Sequence, residues 1–153
     1  MSQVSAHSQI QMLFHGAIIL FIGLICGLPF GVAVARDRSD DSVRSWRVAH
    51  SGVAGIGVML IAIGAVLQHM VLGQRAVSLL VWSLLGSAYG FTLALVLRGI
   101  TGVRGFGPSA PALNVVAFIG NMVGIGGSLL GVGLAIYGMF AALAGPSVGP
   151  ATK

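Results

Sequence analysis

Four stretches of this chain, at about residues 10–35, 48–73, 76–99 and 113–145, are each apolar for longer than a soluble helix or strand needs. Roughly 20 apolar residues cross the hydrocarbon core of a bilayer, so each stretch is long enough to span one. Inside lipid a segment must satisfy its own backbone N–H and C=O groups, which makes these spans helices. Composition agrees, with 7% charged and 56% hydrophobic residues, against about 25% charged in a soluble domain. The expectation is an all-α integral membrane protein: one four-transmembrane-helix bundle over residues 1–153, with Met1–Gln9 as a short disordered tail. Ala33-Val34-Ala35 resembles a signal cleavage site. The basic leader is missing, however, and the run is too long, so the first span stays in place. Cys26 lies inside an apolar run and is the sole cysteine of the chain, which leaves no disulfide framework.

Charge sets topology and removes some functions. The net charge of +5 rests on too few and too scattered residues for a nucleic-acid surface. The spans carry no acid or lysine to couple ions, which weakens a transport reading. Arg36, Arg38, Arg44, Arg47, Arg98 and Arg104 flank the first and third loops, against Arg75 and Lys153 on the other face. The positive-inside rule then places those two loops in the cytoplasm, in a multi-pass protein of the cytoplasmic membrane. Loop Arg36–Ser45 reads as solvated, with Ser42 or Ser45 capping the second helix. The glycine-rich loop Gly99–Pro108 could fold over the membrane face as a lid.

The second span opens on the pattern that carries most chemistry. On a helix, residues three and four apart share a face, so Trp46, Arg47, His50, Ala54 and Gly57 form one stripe. An imidazole beside small side chains offers a flat wall for a planar cofactor, with His50 reaching its metal. Arg44 and Arg47 are placed to pair with anionic groups such as haem propionates. The plainer reading is that His50 hydrogen-bonds a neighbouring helix. Gly23, Gly27 and Gly31 repeat at a spacing that lets helices approach closely in lipid. His15 and His69 are a further candidate metal pair, if the antiparallel first and second helices bring them to one depth.

Polar residues within the spans need partners or a cavity. Counting 1.5 Å per residue from the face bearing the first and third loops, His50 lies about 3 Å deep, Thr92 about 10 Å and Asn121 about 12 Å. Tyr89, Thr92, Asn121 and His50 therefore occupy one half of the membrane, either in a shared pocket or each bonded to a nearby helix carbonyl.

Trp46-x-x-Ala49-His50-Ser51-Gly52 resembles the start of the second helix in styrene oxide isomerases. So do Phe14-His15-Gly16 in the first helix, Gly90-Phe91 in the third, and Arg104-Gly105 with Phe106-Gly107-Pro108 in the loop. Length and helix layout agree over nearly the whole chain. The resemblance implies a homotrimer with haem b between subunits, His50 as axial ligand, and ferric iron acting as a Lewis acid on a small hydrophobic aryl epoxide taken from the bilayer. The product would be an aldehyde. Two positions depart from the family: Ile56 stands where it has asparagine, and Thr92 where it has tyrosine. Those polar side chains position the opening epoxide in the family, so Tyr89, Thr92 and Asn121 are the candidates for that work here. Six residues turn a helix through about 240°, so position 56 can serve a neighbouring subunit's haem rather than that of its own His50. The competing readings are a haem-binding electron-transfer or sensor subunit, and a haem-free membrane scaffold.

Overall fold

The structure, a computed structural model, describes residues 3–103, 105–108 and 111–145. It contains helices α1 (Gln3–Ile25), α2 (Gly27–Ala35), α3 (Asp40–Val66), α4 (Gln74–Thr101) and α5 (Ala112–Leu143), with a 3-10 turn at Leu67–His69 after α3. No strand occurs among the described residues. Four spans are long and apolar enough to cross a membrane: Ala6–Ala35, Asp40–His69, Gln74–Thr101 and Ala112–Leu143. The chain is an all-α membrane protein.

Several boundaries differ from the sequence reading, each for a local reason. The tail expected over Met1–Gln9 is helical from Gln3 onward, and Ser8 is buried. The first span is broken at Cys26, because Pro29 has no N–H to give the Ile25 carbonyl and its ring crowds that turn. The second span starts eight residues before Val48, with Ser39 as N-cap and Asp40 and Asp41 in the first turn of α3. Carboxylates there meet the positive end of the helix dipole. Ser42 and Ser45 therefore lie within the helix rather than capping it, and loop Arg36–Ser45 shortens to about Arg36–Ser39.

Packing follows the small residues. A Cβ on Gly23 would collide with the Ala54 backbone, one on Gly57 with the Leu20 backbone, and one on Gly16 with Ile61. In this way α1 and α3 run backbone to backbone. Gly90 and Gly120 do the same for α4 and α5, where each Cβ would strike the other's carbonyl oxygen. Met12, Ile19, Val53, Leu60, Leu80 and Leu84 fill the space between α1, α3 and α4. Helix α5 packs along α4 and has no extended contact with α3. A groove floored by α4 therefore lies between α3 and α5.

Candidate functional site

His50 sits at the seam between α3 and the α1–α2 break. Its Nδ1 lies 2.9 Å from the Gly23 carbonyl oxygen. A carbonyl only accepts, so Nδ1 carries the proton and donates. In the neutral ring Nε2 then holds a lone pair, and it has no partner among the described residues. Metal-bound histidines are typically held this way, with the second ring nitrogen donating to a carbonyl or carboxylate. The Phe30 ring stacks on the imidazole at 6.3 Å between centroids and 14° between planes. Gly27 leaves room for it, since a Cβ there would come within 3.1 Å of Nδ1. The glycine and proline at the α1–α2 break thus shape a slot that fixes the ring plane. These features fit a haem ligand.

The rest of the expected stripe is dispersed. Ala54 and Gly57 are covered by α1 and serve helix packing, so they are not an open wall within one copy. Trp46 turns to α4, where a Cβ on Gly99 would lie 3.0–3.1 Å from its indole. Arg47 places its guanidinium 5.7 Å from the centre of the Phe30 ring. Arg44 pairs with Asp41 at 3.9 Å on the surface, an exposed contact of little energetic weight. Spacing along one helix face could not show that a neighbouring helix already occupied half of it.

The four residues placed at one depth also separate. Tyr89 turns to α1, its hydroxyl 2.8 Å from His15 Nδ1, with the rings edge to face at 5.8 Å. Thr92 is 7% exposed, its Oγ1 has no partner among the described residues, and it lines neither groove nor pocket below. Asn121 donates from Nδ2 to the Gly105 carbonyl at 2.9 Å. His50, at the seam, meets none of them. Equal depth fixes height but not azimuth, which is why a shared pocket did not form.

His15 and His69 are not a pair either. Gly16 opposes Gly57 and Ile61, and Gly64 opposes Met12, so His69 is level with about Ser8, some 10 Å along the bundle from His15. His69 instead contacts Gln68. No group of three or more metal-binding side chains occurs among the described residues.

Between α3 and α5 the groove encloses about 380 Å³ and is lined by Gly52, Ile56, Phe91, Leu95, Arg98, Phe106 and Asn121, with Ala94 in its floor. Two phenyl rings and one amide make it suited to a small aromatic molecule with an oxygen acceptor. The loop over it is fastened rather than free. Asn114 Oδ1 accepts from the Gly105 N–H and its Nδ2 donates to the Gly107 carbonyl, both at 2.8 Å. Gly105 has φ +62, and a Cβ there would press on Ala117 and Asn121. A left-handed, close-packed position of this kind accepts glycine most readily. Of the loop residues noted in the sequence, Arg104 lies outside the described residues, as does Lys153 at the end of the chain. Arg98 and Phe106 were missed as site residues, because their joint placement depends on how the loop folds back.

The sequence model of the family described as styrene oxide isomerase matches residues 8–140, most of the chain and every residue of the groove and the His50 slot. No curated protein matches the chain.

Proposed function

Because this chain belongs to the styrene oxide isomerase family, we propose that it is a membrane-embedded isomerase that turns an aryl epoxide into the aldehyde with haem b held on His50. The observation that carries the reading is the His50 Nδ1 bond to the Gly23 carbonyl, which presents Nε2 as a ligand in a ring clamped by Phe30. Ferric haem, when bound, supplies a Lewis acid for the epoxide oxygen.

The protein's own part is to hold and orient. His50 and the groove lie on different sides of α3: Gly52 and Ile56 are about 200° and 240° around the helix from it. One copy therefore cannot close a site from both. In a ring of copies, where each uses two different patches, the His50 seam of one subunit faces the groove of the next. A homotrimer with haem at the subunit interface is such a ring. The aryl ring of the substrate lies against Phe91, and Ile56 supplies apolar surface where the family has asparagine. Asn121 still has one Nδ2 hydrogen beyond that given to Gly105, and it donates this hydrogen to the epoxide oxygen. Tyr89 and Thr92 stand outside the groove, and Asn121 is the remaining candidate for the polar role. The benzylic C–O bond breaks, a hydride moves from the neighbouring carbon, and the oxygen becomes a carbonyl without net oxidation.

The test is incubation of detergent-purified protein with styrene oxide in buffer free of oxygen and reductant. Phenylacetaldehyde should appear mole for mole with epoxide lost. Phenylethanediol as the product would mean hydrolysis, and no turnover by haem-loaded protein would overturn the isomerase reading.

A further inference from the structure

Outside the groove, at the membrane face, lies a second and more polar pocket of about 500 Å³. Ser39, Ser42, Ser45 and Arg44 line it from the start of α3, with Asp41 among them, and Gly99 and Ile100 from the end of α4. Arg98 and Phe106 line both this pocket and the apolar groove. The two spaces adjoin along those side chains, apolar toward the lipid and cationic toward the water.

The arginines of this face differ in what they already touch. Arg44 pairs with Asp41, and Arg47 is stacked on Phe30. Arg98 is half-buried and has no ion-pair or hydrogen-bond partner among the described residues. Of the three acids in the chain, Asp37, Asp40 and Asp41, Asp41 alone lines the pocket, and it is engaged by Arg44. A partly desolvated guanidinium calls for an anion, and its planar fork matches a carboxylate with two parallel bonds. Position in the last turn of α4 favours a cation, but it does not supply the missing acceptor.

Resting on the haem reading above, we propose that Arg98 is the residue that binds the carboxylate edge of the haem carried by the His50 seam of the next subunit. The macrocycle lies across the mouth of the groove, with the groove itself left to the substrate and the propionates in the polar pocket. The ligand chemistry required is a flat apolar body bearing carboxylates along one side, and haem b has that form. Ser45 is 9% exposed and hydrogen-bonded to no described residue. Its hydroxyl is available to the same carboxylates. Phe106, 77% exposed where it stands, covers the boundary between the two halves.

The experiment titrates the haem-free full-length protein in detergent with ferric haem and with haem dimethyl ester, following Soret absorbance. Wild type should prefer the free diacid by about tenfold or more, the worth of a charge-assisted bond. Arg98→Ala and Arg98→Gln should bring that preference close to one while still binding the ester as wild type does, which also shows that the variants are folded. Arg98→Lys should restore part of it, and Arg75→Ala at the opposite membrane face should keep it whole. Full preference in both neutral Arg98 variants would overturn the assignment, as would loss of preference in Arg47→Ala in place of them. Failure of wild type to bind either form would overturn the haem reading itself, and this assignment with it.

Discussion

Replacing Gly23 by alanine tests whether the α1–α3 contact sets the geometry of His50. A Cβ on Gly23 would fall 3.0 Å from the Ala54 Cβ and closer still to its backbone. Comfortable carbon contacts are about 3.5–4.0 Å, so the two helices must part by roughly 1 Å. The Gly23 carbonyl moves with its helix, and its 2.9 Å bond from His50 Nδ1 opens beyond useful hydrogen-bond range, about 3.5 Å. Overpacking costs about 1–3 kcal/mol and the lost bond about 1 kcal/mol, for a total of about 2–4 kcal/mol. Removing such an outer partner weakens metal binding by about 10–100-fold. Thermal unfolding in detergent and Soret titration of the same preparation read both effects. Gly133→Ala, where a Cβ meets nothing within 4 Å, should be neutral or stabilising by up to about 1 kcal/mol through helix propensity. Equal stability and equal haem affinity in Gly23→Ala and wild type would refute the reasoning.

Asn121→Ala should lower turnover about 10-fold or more if its amide meets the developing negative charge. Haem content should be kept, and a change in KM alone would assign Asn121 to the loop rather than to the chemistry. Tyr89→Phe and His15→Phe should each cost about 1 kcal/mol of stability, and the double variant little more than either, because both remove one bond. Additive losses in thermal unfolding would show that the 2.8 Å contact carries no energy. Arg44→Ala should change stability by less than about 0.5 kcal/mol, as expected for an exposed ion pair. A larger loss on thermal unfolding would mean that the Asp41 contact is stronger than its geometry indicates.

The four spans were legible because lipid leaves a long apolar segment no structure but a helix. The segment Trp46 to Gly52 pointed to His50 and to the family, and the family match covers it. The partner of His50 was hidden because Gly23 is remote in sequence and acts through its backbone carbonyl, which no residue pattern announces. Ala54 and Gly57 invited two readings, since small residues suit a cofactor wall and a helix contact alike, and α1 takes the contact. In the sequence Arg98 reads only as one of the basic residues that flank the third loop. Its place at the junction of two pockets comes from the loop folded back over the groove and tied by Asn114 and Asn121. Tyr89, exposed at 40%, shared a depth with Asn121 but faced α1, a difference of azimuth that helix counting within single spans leaves free.

The central claim is that His50 ligates haem, and the absorption spectrum of purified protein tests it most directly. Wild type supplied with haem should show a Soret band that His50→Ala loses at equal protein concentration and equal oligomeric state. A His50→Ala protein with an unchanged Soret band would contradict the account.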